Sequence, residues 1–421
     1  MHHNILTSII LAAAFLLPAF GSDAQTDTRT PWSCVTTEGR TYVNPTGDEF
    51  PIMGYHAFWP EYSTVENYRT LRDCGINIAQ GWSQDSADVP AQFRAAEEAG
   101  VKVLVNCSAT HHTDQLISLE QRLNADPVNI GYLLWDEPKT EQFGKINERI
   151  NAVVDVDSVK LAYVNLLPNY ATTKQLGADT YAGYLEQFMT EARPQLLSYD
   201  FYCILKGKDG IQLRKGYFEN LEEARKCARR HNAPLWTFCL STPHFGYAYP
   251  DEAQLTFEAF TALAYGSKCI QYYGYGPSII DGTYSAITPV DSLGNRSDIW
   301  YAMQKTNAQI QTVGQRLLRC DSKNVWHTGT TIPAGSVRLT QSMLPRPFYS
   351  VVSQSAGVTV SHHTDGSRNY LLIVNKDFLS KQRVSVRRAP GVRRINEKGR
   401  ELSESKVNYT LKPGGWLLFE W

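Results

Sequence analysis

Between residues 51 and 273 the chain alternates short apolar runs with longer stretches in which apolar residues recur every three or four positions. The apolar runs fall at 52–57, 76–80, 101–107, 130–135, 160–166, 196–203, 235–240 and 269–273. Stretches of helical periodicity follow at 65–74, 90–99, 116–124, 143–154, 181–192, 218–231 and 251–265, with a last one at 299–319. Gly75, Gly100 and Gly266 stand directly after helical stretches, where a left-handed closing residue favours glycine. Eight strand–helix units in about 270 residues predict a (β/α)8 TIM barrel over 51–320, preceded by a lead-in segment at 25–50. An open doubly wound sheet is the alternative. No Gly-x-Gly-x-x-Gly follows the first run, so its dinucleotide-binding form lacks a phosphate cradle.

Past residue 319 the period changes to two. Alternating runs at 348–352, 358–362, 370–375, 383–388, 406–411 and 416–421, parted by Gly, Pro, Asp and Asn, predict a C-terminal antiparallel β-sandwich over 321–421. Charge divides at the same place. The last 101 residues hold 15 Lys/Arg against 7 Asp/Glu, a net of +8, which leaves −9 for the rest of a chain whose total is −1. That total gives no electrostatic case for nucleic acid as a partner. The basic pairs Arg387-Arg388 and Arg393-Arg394 read as a solvated sheet face, with an anionic polymer as the alternative.

At the other end, 5–20 is apolar, interrupted by Pro18 and followed by Gly21-Ser22-Asp23-Ala24. The run is too short to span a bilayer, which takes roughly 20 apolar residues. A small-residue site after Ala24 predicts a secretory signal peptide at 1–24 and a secreted or periplasmic protein, although the start lacks Lys and Arg. No later stretch reads as an integral membrane segment, and oligomeric state is not legible. The eight Cys form no Cys-x-x-Cys pair and several lie in strand-like runs, so buried thiols are expected rather than a metal cluster.

A (β/α)8 barrel builds its site from the C-terminal ends of its strands. Here those ends carry His56, Trp59 and Glu61; Gln80 and Trp82; Asn106, with His111-His112 beyond; Asp136-Glu137; Asn165; Asp200 and Tyr202; Trp236 and the loop to His244; and Tyr273. Carboxylates, amides and aromatic rings together suit a carbohydrate substrate, whose hydroxyls need polar partners and whose ring faces stack on Trp or Tyr. Asp136, His56, Trp59, Gln80, Trp82, Asn106, Asn165, Tyr202, Trp236 and Tyr273 are the expected sugar contacts, and Lys206 is a candidate for meeting an acidic sugar. The His pair has no further ligand at metal spacing, so no metal is expected.

Asp136-Glu137 is the sharpest feature. Five apolar residues precede it and Pro138 ends the strand behind it. A carboxyl group between apolar walls resists ionisation and is suited to protonating a leaving group. The alternative is an acid pair capping the next helix.

Trp135-Asp136-Glu137-Pro138 resembles the Asn-Glu-Pro of the large clan of retaining (β/α)8 glycoside hydrolases. So do the stretch from Ala262 to Tyr273 and the C-terminal sandwich ending in Gly415-Trp416-Leu417-Leu418-Phe419-Glu420-Trp421. The resemblance implies that Glu137 is the general acid/base and that no cofactor is needed. It also implies a nucleophilic Glu on strand seven, and 235–241 has none; Asp136 stands where the clan has Asn. Ser198-Tyr199-Asp200-Phe201 is similar to the Tyr-Asp of chitinase-like barrels, which makes Asp200 the expected partner carboxylate, as nucleophile, base or orienter of an assisting substrate group. Glu61 and Asp85 are the fallbacks. The expectation is therefore an exported glycoside hydrolase. The alternative is a carbohydrate-binding protein on a glycosidase-like barrel that does no chemistry.

Overall fold

The computed structural model describes residues 30–277 and 287–421; the expected signal at 1–24 lies outside the described residues. Eight parallel strands form one sheet: β1 (Ile52–Tyr55), β2 (Ile78–Gln80), β3 (Lys102–Val105), β4 (Asn129–Asp136), β5 (Leu161–Asn165), β6 (Leu197–Tyr199), β7 (Leu235–Leu240) and β8 (Ser267–Tyr273). Each pairs with its neighbour in sequence as far as β5, β6 pairs with β7, and β8 pairs with both β7 and β1. The ring closes between β5 and β6 by a bridge from Leu166 to Tyr199, with the Leu166 N–H donating to the Ser198 carbonyl at 2.9 Å. This is the predicted TIM barrel.

The outer helices are α1 (Val65–Asp73), α2 (Val89–Ala99), α3 (Thr113–Leu123), α4 (Phe143–Val154), α5 (Tyr181–Gln187), α6 (Tyr217–Arg230), α7 (Glu252–Ala264) and α8 (Asp298–Leu317). Thr64, Thr180 and Asp251 accept N–H bonds from the first turns of α1, α5 and α7, satisfying donors that a helix start leaves open. The helical stretch read through residue 192 ends early, and Phe188–Ala192 winds into a wider π turn. In β4, Gly131 has φ 142°, and a Cβ there would lie 2.1 Å from the Leu161 carbonyl oxygen, so no other residue fits the bulge that starts this strand.

Alternation along the strands sorts two cores. Ile52, Ala79, Val103 and Cys239 face the helices, whereas Met53, Ile78, Leu104, Leu161, Trp236 and Phe238 fill the barrel interior. A hairpin in the lead-in, Ser33–Val35 paired with Thr41–Val43, closes the interior at the N-terminal ends of the strands. Its Tyr42 is fully buried, 6.4 Å from Trp236 and 5.4 Å from Trp32. Gln195 Nε2 donates to the Thr41 carbonyl at 3.0 Å, and His231 joins Glu38 of the hairpin loop at 2.5 Å to Glu186 at 2.8 Å.

The C-terminal region is two antiparallel sheets. β9 (Asp321–His327), β11 (Val358–Thr364), β12 (Asn369–Asn375), β17 (Trp416–Glu420), β14 (Arg393–Ile395) and β15 (Glu401–Leu402) form one, in that order. β10 (Phe348–Ser353), β13 (Gln382–Arg388) and β16 (Asn408–Leu411) form the other, and Val360, Ile373, Val384, Val386 and Phe419 pack between them. The basic pairs are largely answered locally. Arg393 bonds Glu401 and Glu420, Arg394 bonds Glu404, and Arg388 donates to two backbone carbonyls. All eight cysteines are free thiols, seven of them buried.

Because Tyr42 seals the barrel floor with no solvent-exposed surface, Tyr42→Ala should lower unfolding free energy by about 3–5 kcal/mol, the usual loss for truncating a buried aromatic. Denaturant titration followed by tryptophan fluorescence checks this; a loss below about 1 kcal/mol would mean the hairpin only rests on the barrel.

Candidate active site

The acid pair sits where β4 ends. Glu137 adopts φ 49°, a left-handed conformation that costs an L-residue roughly 1–2 kcal/mol and is held by its N–H donating to the Asn165 carbonyl at 2.8 Å. The following helical turn, Thr140–Gln142, has its entry closed by Gln142, whose side chain accepts the Lys139 N–H at 2.7 Å. Neither acid caps a helix. The strained backbone instead turns the Glu137 side chain into the open mouth of the barrel.

One amide ties three strands together there. Asn165 Nδ2 donates to Asp136 Oδ1 on β4 and to Asp200 Oδ1 just past β6, each at 3.1 Å, while its Oδ1 accepts the Ser198 hydroxyl at 3.1 Å. Below it lies a closed polar layer. The Ser198 hydroxyl meets Tyr163 at 2.8 Å and Gln271 Nε2 at 3.0 Å, and the Tyr163 hydroxyl donates to Gln271 Oε1 at 2.6 Å. With both its amide groups bonded, Asn165 can hardly swing.

The three carboxyl groups all resist ionisation. Asp200 is buried, and burial raises its pKa first, with the neighbouring charges of Glu137 and Asp136 adding to it. Asp136 and Glu137 are open to solvent from above yet walled by protein on their other sides, so they lose only part of their water. Glu137 is pushed up to about 7 by that loss and then by Asp136, against the pull of a side-chain hydrogen bond with Asp200. Each of Glu137 and Asp200 perturbs the other's ionisation, so the two titrate as a pair. Asp136 is raised by burial, opposed by the Asn165 amide and the nearby Tyr55 hydroxyl.

Aromatic rings line the wall on one side. His56, with φ 51°, stacks on Tyr55 at 5.0 Å and lies 5.4 Å from Tyr273, which is 5.4 Å from Tyr202. Surrounding protein lowers the His56 pKa, leaving a neutral imidazole at pH 7. Elsewhere on the rim Trp59 and Trp82 meet edge to face at 6.4 Å, both half-buried, and Trp82 lies 5.9 Å from His111.

Several expected contacts are committed inward instead. Gln80 is fully buried, accepting the His56 N–H at 3.0 Å and donating to the Gly81 carbonyl at 2.8 Å, so it holds the β1 rim rather than offering itself to a ligand. Asn106 is buried against His111 Nε2 at 3.2 Å. Trp236 is corrected outright. It is the second residue of β7, four residues and about 13 Å below Leu240 at the rim, and is fully buried on the barrel floor with no face for a sugar. Of the fallbacks, Asp85 accepts the Ala87 N–H and caps its own turn, while Glu61 is exposed on the turn after β1. Among the described residues, the grouping with metal-ligand spacing is Glu186, Cys227 and His231, far from His111-His112 in sequence and tied to the N-terminal hairpin.

Sequence reasoning passed over Tyr163, Ser198 and Gln271. Each stands two residues before a rim residue on the same strand (Asn165, Asp200, Tyr273), the period that sends side chains into the barrel. It also missed a group beyond β6. Tyr170, Arg214 and Tyr247 extend the aromatic wall together with His244, which the rim reading had included; Tyr247 lies 5.6 Å from Tyr202 and His244 5.4 Å from Tyr273.

No known family profile and no curated protein sequence matches the chain. Its architecture nevertheless recurs in solved structures. A β-galactosidase from Bacillus circulans sp. alkalophilus superposes with a TM-score of 0.60 at 8% identity, covering 89% of this chain and 99% of that one. A catalytic mutant of a GH42 β-galactosidase from G. stearothermophilus gives 0.53 at 8% identity over 89% and 98%. The cold-adapted β-galactosidase from Rahnella sp. R3 gives 0.52 at 8% over 88% and 98%. At such identity the shared property is the fold: a TIM barrel followed by a β-domain.

Proposed function

We propose that the protein is an exported glycoside hydrolase in which Glu137 is the general acid/base and Asp200 the nucleophile. The observation that carries this reading is that Glu137 and Asp200 converge on Asn165 at the mouth of the barrel, Glu137 through its N–H and Asp200 through its carboxylate. Inverting enzymes keep their two acids about 6.5–9.5 Å apart to admit a water, and retaining ones about 5–5.5 Å. Two acids tied to one residue and perturbing each other's ionisation fit the closer spacing, which favours retention through a glycosyl–enzyme intermediate.

The roles divide by environment. Glu137 is open to solvent, able to reach a departing oxygen and later an incoming water. Asp200 is buried and gripped by Asn165, as suits a group that must attack from one fixed position. In the free protein burial makes both acids reluctant to ionise. The positive charge that develops at the sugar's anomeric carbon favours ionised Asp200 and leaves the proton on Glu137, ready for the glycosidic oxygen. Asp136, pinned through the same amide, is placed to accept a sugar hydroxyl. The non-catalytic alternative draws on the lack of an acid in β7 and its loop as far as His244. Asp200 on the neighbouring strand supplies that second acid.

Glu137→Gln should cut kcat by about 10²–10⁴-fold on a natural glycan, the usual share of acid catalysis; a loss under tenfold would remove Glu137 from the chemistry. Turnover should follow a bell in pH. Because Glu137 is raised, its proton persists until the pH climbs through about 7, so activity should fall on the alkaline side of that value. On the acid side it should fall as the second proton returns to the pair. Asp200→Asn should remove the acid limb along with most of the rate. Proton NMR of the first-formed sugar should show the substrate's own anomeric configuration, and an inverted product would exclude Asp200 as nucleophile.

A further inference from the structure

The excursion that follows β6 carries charge that the proposed reaction does not use. Residues 204–215 hold Lys206, Lys208, Arg214 and Lys215 against Asp209 alone, a net of +3 within the part of the chain that is otherwise acidic. Ile204–Gly207 and Gly210–Leu213 pair as a hairpin. The hairpin is bound to the loop after β7, with the Lys206 N–H donating to Gly246 at 2.8 Å and the Ala248 N–H to Ile204 at 3.0 Å. Lys206, Lys208 and Lys215 point into solvent. Arg214 does not.

Arg214 is half-buried in the wall of the mouth, its guanidinium 4.1 Å from the centre of the Tyr170 ring and 5.4 Å from that of Tyr247. Tyr170 packs on Phe201 at 5.0 Å and Tyr247 on Tyr202 at 5.6 Å, the two residues that follow Asp200, which puts the guanidinium on the Asp200 side of the mouth. Among the described residues Arg214 has no carboxylate partner. Its side chain makes one hydrogen bond, to the Tyr247 hydroxyl at 3.2 Å, and its Nε is shielded from solvent with nothing to donate to. A cation partly stripped of water, with most of its donors unused, is an electrostatic deficit that an arriving anion fills. Two flanking tyrosine rings fix the plane of the fork, and a planar fork matches the oxygens of a carboxylate or a sulfate ester.

The geometry points to a subsite for an acidic sugar beside Asp200, in which Arg214 binds a carboxylate or sulfate on the substrate. This rests on the glycosidase reading, and the anion moves from Lys206, where the sequence suggested it, to Arg214. The exposed lysines of the hairpin add long-range attraction, and the fixed guanidinium supplies the contact.

The test is binding by the Glu137→Gln protein, full length, to a panel of oligosaccharides offered in matched pairs. Uronic-acid glycans are set beside their carboxyl-reduced forms, and sulfated glycans beside their desulfated forms, by calorimetric titration. The acidic member of at least one pair should bind at least about tenfold more tightly. Adding Arg214→Gln should bring that ratio close to one, and Arg214→Lys should restore only part of it. Which series shows the preference separates carboxylate from sulfate. A neutral preference throughout, a ratio unchanged by Arg214→Gln in a variant that melts like its parent, or no binding across the panel would overturn the inference. Hydrolysis of neutral glycans with no acidic preference defeats the subsite alone; Arg214-dependent binding without turnover by the unmodified protein defeats the glycosidase reading alone.

Discussion

Three carboxyl groups share one barrel mouth, none of them in an ion pair with a cation among the described residues, and the site depends on how that repulsion is contained. Water is thinned by the surrounding walls, which raises all three acids, and Glu137 and Asp200 perturb each other and titrate together. The Asn165 amide holds Asp136 and Asp200 at equal distance, 3.1 Å on each side, and the buried layer of Ser198, Tyr163 and Gln271 holds Asn165. The seam between β5 and β6 belongs to the same device. It rests on one bridge, Leu166 to Tyr199, with Asn165 and Asp200 immediately beside it. Closing the barrel and assembling the acids are therefore one event.

Legibility in the sequence follows the strength of each local signal. The barrel was readable because its alternation repeats eight times, and glycines mark three helix ends with φ of 86°, 69° and 88° at Gly75, Gly100 and Gly266. In the C-terminal sheets the long alternating strands were readable, while β9, β14 and β15 were not. β9 opens with Asp-Ser-Lys-Asn, which reads as a turn, and the other two are only three and two residues long. The floor of the barrel was invisible for a different reason. Nothing in Ser33–Val35 or Thr41–Val43 says which end of the barrel their hairpin covers.

Within the site, strand position was legible and side-chain engagement was not. Asp136, Glu137, Asn165 and Asp200 were placed by the rule that rim chemistry lies at strand ends, and the structure brings the four together. Trp236 failed that rule because it lies near the start of its strand rather than at its end, two inward-facing positions below the rim. Gln80 and Asn106 lie at rim positions but are consumed by the His56 backbone and the His111 ring. Sequence shows that an amide is present; only the fold shows whether its donors are already used.

The missing acid on β7 then has a structural consequence rather than being a defect alone. With the second carboxylate on β6, the line joining the two acids runs across the β5 seam, and the excursion after β6 stands at one end of it. That excursion carries Arg214, seated between Tyr170 and Tyr247. The loop after β7, free of a catalytic acid, is instead occupied in bonding that excursion through Gly246 and Ala248 and in supplying His244 and Tyr247 to the aromatic wall. On the proposed reading, a second acid just past β6 leaves the β7 side as a wall for recognition, next to the basic hairpin that its loop bonds.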